Sequence, residues 1–449
     1  MRAIGNNKNK VKEMSIEGDK KGLVLVMVLW VVVILTVIVV TVGRTSRLDT
    51  KVCLVQTESL RCKWACRAGI DTAIAVLGED PKESDSLLDL WNDNEEDLND
   101  IELERCSFAV KVTDEAGKLN INTVSKQQLL ELYGMTEEVA DAIIDWRDTD
   151  DSPSPGGVEG GYYENLQYGY TIRNGPFRTI REMLLVKDVS EEWFYGQNSN
   201  FNTGLSTDFE RTNAAEEHVA NLQEEVMDNG WITYLTCYSY DNNKDADGQN
   251  RVNINEANEN RLVRSLSISR SYAKWIVENR GQNGYGSISD LINKKSPKRA
   301  NRRSGRNSDQ AEPLDLETFS DIADKITITN DTQVKGKVNI NTSSKVVLVA
   351  LLGGTETAEQ IADEIINYRE SLTEGMQSIA EVMEVESVNV DTFKKIANNI
   401  TTRSDVYSIR CLATADRNGV AGAKLETEAV VDRSSAPCNI LYWHQGVSN

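Results

Sequence analysis

Residues 18–40 read GDKKGLVLVMVLWVVVILTVIVV, and how this stretch is read decides how the rest of the chain is organised. From Leu23 to Val42 no side chain is charged, and Thr is the only polar type. At about 1.5 Å rise per residue the run makes a helix roughly 30 Å long, the thickness of a bilayer core. A cleaved secretory signal has a shorter apolar region, roughly 7–15 residues, followed by a small-residue cleavage site. Here Gly43-Arg44-Thr45-Ser46-Arg47 follows instead, so the stretch reads as a retained membrane helix. The segment before it carries Arg2, Lys8, Lys10, Lys12, Lys20 and Lys21 against Glu13, Glu17 and Asp19. That basic excess places the N-terminus on the cytoplasmic side and the bulk of the chain across the membrane.

The bulk is hydrophilic. The 449 residues carry a formal net charge of −21 and a mean hydropathy of −0.43, and the length allows two or three domains. Seven cysteines (Cys53, Cys62, Cys66, Cys106, Cys237, Cys411 and Cys438) can form disulfides in an oxidising compartment, but their pairing is not readable. No C-x2-C pair suggests zinc.

Lys20-Lys21-Gly22 runs directly into Leu23. A basic leader, a glycine and an apolar helix form the pattern that prepilin peptidase cuts, here between Gly22 and Leu23. Most pilin-like chains carry Glu as the fifth mature residue; this one has Met27. The helix does not stop with the apolar run. From Arg44 to Leu77 there is no Pro and only Gly69 inside, with apolar residues near helical spacing and Gly78 as a C-cap. A helix of about 50 residues, apolar first and amphipathic second, resembles a pilin spine.

Residues 79–105 are acidic and read as loop, and Cys106–Thr113 alternates as a strand. An internal repeat follows, anchored on Asn-Ile-Asn: GKLNINT from Gly117, NRVNINE from Asn250 and GKVNINT from Gly336. Each copy continues as two helical segments ending on arginine (Arg147, Arg280, Arg369). Each has a second half with Ser or Thr three residues before an acid: Thr179 and Glu182, Ser287 and Asp290, Ser378 and Glu381. The Thr179 and Ser378 pairs read as capping boxes and Ser287 with Asp290 as a shorter approximation, each opening a third helix. The pattern is helix-hairpin-helix, in repeats 117–195, 250–292 and 336–400. Such modules often bind DNA, which makes a membrane-anchored DNA receptor the alternative function. The hairpins Gly134-Met-Thr136, Ser267-Ile-Ser269 and Gly353-Gly-Thr355 lack G-x-G, and the acidic charge repels phosphate. The one basic run, Asn293–Arg306, reads as a solvated insertion, and no nucleic acid is expected.

After the repeats, the segments from Asp405, Ala423 and Cys438 read as three strands. With Cys106–Thr113 they make a small antiparallel sheet on the N-terminal helix. The expected fold is α+β: leader 1–22, membrane and pilin helix 23–78, acidic loop and first strand 79–116, inserted helical domain 117–400, and C-terminal strands 401–449.

With KKGLVLVMVLWVV, GKLNINT, IIDWRDTDDSPSPGGVEGGYYE, NGPFRTIREMLLVKDVS and the C-terminal strands in hand, the chain resembles the general secretion pathway protein K family, the large minor pseudopilins of type II secretion. The resemblance covers nearly the whole mature chain. Members lack the fifth-position glutamate, so Met27 fits. It implies an inner-membrane protein with a periplasmic bulk, at the tip of the pseudopilus, whose partners are other minor pseudopilins and prepilin peptidase. The charge logic agrees: a first subunit has no terminal amine above it to offset. The role is assembly and not catalysis. His218 and His444 have no local partners, and no G-x-S-x-G or Walker loop is present.

The resemblance also implies calcium in the inserted domain. The matching residues are Asp148, Asp150, Asp151 and Glu159, where a Pro/Gly loop folds carboxylates together for a hard cation. A second candidate is Asn243-Lys-Asp245-Ala-Asp247-Gly248-Gln249, which copies the first half of an EF-hand loop but has Ile254 at position 12.

Overall fold

The computed structural model describes residues 17–197, 199–200, 205–206, 222–292, 311, 313–354, 357–417 and 419–448. Two compact units are present, Met1–Leu60 and Arg61–Asn449.

One helix, α1, runs unbroken from Glu17 to Glu79. Its most apolar window has a mean hydropathy of 3.5, and it is the one helix among the described residues long and apolar enough to cross a membrane. Leu23 to Val42 are exposed along it. The Thr36 and Thr41 hydroxyls donate to the carbonyls of Val32 and Val37 one turn back (2.8 and 2.7 Å), so neither presents an unpaired donor on the helix surface. The helix extends one residue past Gly78, so Gly78 lies in its last turn and is not the expected C-cap.

The second unit holds a five-stranded antiparallel sheet of β1 (Ile101–Leu103), β2 (Cys106–Asp114), β3 (Val406–Asp416), β4 (Ala421–Asp432) and β5 (Asn439–Ser448), in that spatial order. β1 falls where the acidic segment reads as loop. Its Ile101–Leu103 pairs with Phe108–Cys106, a short edge that charge alone does not forbid. β2 and β3 pair from Cys106↔Ala415 to Asp114↔Tyr407, although nearly the whole helical block separates them in sequence. Alternation in β2 buries Cys106, Phe108, Val110 and Val112. On the helix, Cys62, Cys66, Ile70, Ala73 and Leu77, spaced four or three apart, form one buried face against them. Gly69 permits the close approach, since a Cβ there would lie 2.8 Å from both Cys411 Sγ and Phe108 Cδ2.

Between β2 and β3, three segments share one local build, and the Asn-Ile-Asn motif explains it. The first Asn of each copy lies in a two-residue parallel bridge: Leu119-Asn120 with Leu235-Thr236, Val252-Asn253 with Ile326-Thr327, and Val338-Asn339 with Ile400-Thr401. The second Asn clamps the backbone of the motif's second half with both ends of its amide. Asn122 Nδ2 donates to Phe177 O (3.1 Å) while its Oδ1 accepts from Phe177 N (2.7 Å). Asn255 does the same with Tyr285, and Asn341 with Met376. The terminal arginines turn back onto the motif or the loop after it. Arg147 reaches the carbonyls of Ile121 and Val124, Arg280 that of Ala257, and Arg369 those of Ile340 and Ser343. Buried backbone that no sheet serves is thus satisfied by side chains.

The helix pairs are Lys126–Leu130 with Glu137–Arg147, Glu259–Leu266 with Arg270–Glu278, and Lys345–Leu352 with Ala358–Glu370. The capping boxes form in all three copies, Ser287 with Asp290 included. What they cap are short 3₁₀ turns and not the expected third α-helix. One apolar core runs through all three copies.

Candidate metal centre

Helix Glu137–Arg147 carries Asp141 and Asp145 on one face, four residues apart, and Asp148 caps its C-terminus. The following loop folds back onto that face. Gly156 N donates to Asp141 Oδ2 (3.0 Å) and Ser154 N to Asp145 (3.1 and 3.0 Å). This return brings Glu159 to the helix end, where oxygens of Asp145, Asp148 and Glu159 lie within 4.8 Å of one another.

Three carboxylates at the negative end of a helix repel one another and the helix dipole. Burial, together with Asp145 and Asp148, pushes Glu159 up to about 7, and burial with Asp150 and Asp145 raises Asp148. Both carboxylate oxygens of Glu159, Oδ1 of Asp148 and Oδ1 of Asn174 are buried and meet no donor. The Arg147 guanidinium relieves Asp148 only in part, because it is committed to the carbonyls of Ile121 and Val124. Buried acceptors without donors cost about 1–3 kcal/mol each, and an oxygen-seeking divalent cation removes that cost. The residues therefore fit calcium in kind.

Of the residues read from sequence, the structure brings Asp148 and Glu159 together. Asp150 and Asp151 are exposed and stand beside the cluster. Asp150 accepts from Ser152 N (2.8 Å), while Asn174 Nδ2 donates to Asp150 O (2.7 Å) and to Asp151 Oδ1 (3.1 Å). Asp145, fully buried, is the ligand candidate missed in the sequence. Its spacing of three before Asp148 was the available signal.

The Asn243–Gln249 loop is built differently. Lys244 bridges to Asn250, and Gly248 takes φ 74°. The Asp245 carboxylate accepts from Gln249 N (2.7 Å), Asn243 Nδ2 donates to Asp331 O (2.8 Å), and Asp247 is exposed. The loop walls a cavity of about 290 Å³ lined by Lys82, Lys244, Arg403 and Arg433 and by the carboxylates of Asp85, Asp241, Asp245, Asp247 and Asp405. Among the described residues its acids form no triad.

A second triad, Asp80, Asp85 and Asp89, is held by donors of the chain itself. Arg433 pairs with Asp80 (2.6 Å) and Asp85, Tyr407 Oη donates to Asp85 (2.7 Å), and Asp89 holds Ser86. Gly22, Leu23 and Met27 lie within α1, the last two exposed. His218, the basic run Asn293–Arg306, Thr355 of the third hairpin and residues 1–16 of the leader lie outside the described residues. His444 stands on β5 opposite Glu428.

Residues 98–195 match the family model for type II secretion system protein K, first domain. No curated protein matches the chain. Among solved structures, the crystal structure of the GspK-GspI-GspJ complex of the type 2 secretion system from enterotoxigenic Escherichia coli aligns at 14% identity and TM-score 0.47, over 88% of this chain and 98% of that one.

Proposed function

We propose that this chain, which carries the first domain of type II secretion protein K, is a minor pseudopilin at the tip of the type II secretion pseudopilus. It is anchored in the inner membrane by α1 with its bulk in the periplasm, and it assembles with other minor pseudopilins to start the filament that exports folded proteins. The observation that carries this reading is architectural. An uncharged helix continues into an amphipathic one whose Cys62–Leu77 face packs on an antiparallel sheet, and a large helical block is inserted between β2 and β3. A head of that bulk obstructs addition above it, which suits a terminal subunit. Met27 in place of a carboxylate suits it too, because no terminal amine lies above a first subunit.

The helical block reads as three helix-hairpin-helix repeats used as a packing scaffold. Calcium bound by Asp145, Asp148 and Glu159 ties the loop 150–159 to the block. Its role there is to supply positive charge to buried acceptors. Asn243, Asp245 and Asp247 are not part of this site.

The test is co-purification of the full chain from detergent-solubilised membranes with the minor pseudopilins encoded beside it. A stoichiometric complex is expected. Failure to associate, with salt-sensitive DNA binding in its place, would overturn the reading in favour of a DNA receptor.

A further inference from the structure

Four of the seven cysteines are fully or nearly buried in one place, the interface between the second half of α1 and the sheet. Cys62 and Cys66 are four residues apart and share the helix face that meets the sheet. Cys106 opens β2 and Cys411 sits mid-β3, both pointing inward. The sulfurs sort into two couples. Cys106 Sγ lies 4.0 Å from Cys62 Sγ. Cys411 Sγ lies against Gly69, one turn beyond Cys66, and the Cys66 thiol donates to the carbonyl of Cys411 itself (3.4 Å). The other three cysteines are apart from this layer: Cys53 is exposed, and Cys237 and Cys438 are half-buried.

Nothing else in the layer needs thiols. Cys62 and Cys66 spend their weak donors on the carbonyls of Ala423 (3.2 Å), Cys411 and Leu425 (both 3.4 Å), contacts that Ala or Val would forgo at little cost. An apolar core with four cysteines arranged as two facing couples is better explained by covalent pairing.

We propose that Cys62–Cys106 and Cys66–Cys411 close as two disulfides that staple α1 to β2 and to β3. The gap in the first couple, 4.0 Å, must shrink to about 2.05 Å on closure. In each couple two S–H bonds are lost and one S–S bond forms. The two electrons and two protons pass to a small or protein disulfide, which is reduced to two thiols through a mixed disulfide. The four side chains are shut off from solvent in the folded unit, so closure occurs while the chain folds. The pairing joins the helix to the two strands that flank the inserted block in sequence. It therefore holds the head together at the base of the insertion, where pull along the helix would otherwise peel it from the sheet. Closure in the cell rests on the exported location proposed above; the pairing itself does not.

The test uses the full chain in detergent, reduced and denatured, then refolded with oxidised glutathione. It is quenched with N-ethylmaleimide and digested with trypsin. Cleavage after Lys63 separates Cys62 from Cys66, so the two couples give distinct linked peptides. The expected result is Cys62 linked to Cys106, Cys66 linked to Cys411, and label on Cys53, Cys237 and Cys438 only. Label on all seven, or Cys62 joined to Cys66, overturns the proposal. In a second arm, Cys62→Ser should lower the melting temperature relative to wild type under oxidising conditions, and dithiothreitol should remove the difference. A difference that persists in dithiothreitol would make the residue a packing position and not a staple. Chain taken directly from cells and alkylated before lysis tests the location separately. Reduced couples there, with correct pairing in vitro, would overturn the exported location and leave the pairing standing.

Discussion

The carboxylate of Asp145 lies so close to Gly157 that a Cβ at residue 157 would overlap Oδ2, and it would also meet Asp141 O at 3.0 Å. The loop can therefore close on the helix only because residue 157 has no side chain. That closure carries Glu159 to Asp148, so the glycine is a condition of the carboxylate cluster.

Gly157→Ala should push the loop off the helix. The expected cost is about 1–3 kcal/mol from overpacking, with loss of most of the calcium-dependent rise in melting temperature. Gly161→Ala, where a Cβ meets nothing within 4 Å, should leave both quantities unchanged and serves as the control. A Gly157→Ala protein that keeps the full calcium response would separate the cluster from calcium.

The pH dependence has a definite sign. Glu159 is raised from its ordinary 4.5 to about 7 by burial and by Asp145 and Asp148. The folded state then holds a proton that the unfolded state has released, so in chelator the contribution of Glu159 to stability is fully present below pH ~4.5 and is lost as pH rises towards 7. Calcium should oppose that fall, adding about 2.7 kcal/mol at a hundredfold excess over Kd. Glu159→Gln should reduce the fall and remove much of the calcium response, and at pH 7 without calcium it should melt above wild type. Asp150→Ala, at an exposed position, should reduce the calcium response less than Asp148→Ala does, and Asp245→Ala should not reduce it. Melting curves across pH 4–8, with and without calcium, decide all of these.

The long-range plan of the molecule is carried by periodicity, which is why it is legible in the chain. A continuous apolar run, a period-two strand and a thrice-repeated Asn-Ile-Asn each announce an element without reference to its partners. What is not legible depends on where the chain returns. Asp145 reads as one more acid on a polar helix until the loop 154–157 is laid against it. β1 lies in an acidic segment and forms because Phe108–Cys106 offers it an edge. At Asn243–Gln249 the spelling follows an EF-hand, and the carboxylate at its third position accepts from the loop's own amide, a contact that spacing alone does not announce.

The returning arginines predict a gradient of stability. Arg369 is 8% exposed and serves two carbonyls, Ile340 and Ser343, at 2.8 and 2.7 Å, while the described bond of Arg280 serves one, Ala257. Hydrogen bonds to a charged donor contribute about 1.5–3 kcal/mol, and a buried carbonyl left unpaired adds to the loss. Arg369→Met, which keeps the stem volume and removes the donors, should therefore destabilise by about 2–4 kcal/mol. Arg280→Met should cost roughly half as much. Chemical denaturation of the three proteins measures this, and equal losses would mean that the stems and not the guanidinium groups support the fold.

The last prediction concerns the start of α1. Leu23, Met27 and their neighbours form an exposed, uncharged helix surface, and the peptide bond between Gly22 and Leu23 lies within that helix. Cleavage there, expected for a prepilin peptidase substrate, would leave Leu23 as the mature N-terminus and Met27 as the fifth residue. N-terminal sequencing of the membrane form should find Leu-Val-Leu-Val-Met, whereas Met1 retained in cells with active peptidase would remove the chain from the pilin class. Met27→Glu then tests position in the filament. A central carboxylate in a bilayer costs about 2.5–3.5 kcal/mol on insertion scales, and less near a helix end. An ordinary filament subunit recovers that cost by pairing with the terminal amine above it, and a tip subunit has no such amine. Met27→Glu should therefore lower or leave unchanged the secretion supported by the chain, with the protein still confined to filament ends. A variant found along the whole length of the filament would show that the head does not block addition above it, and that the methionine alone had kept the chain at the tip.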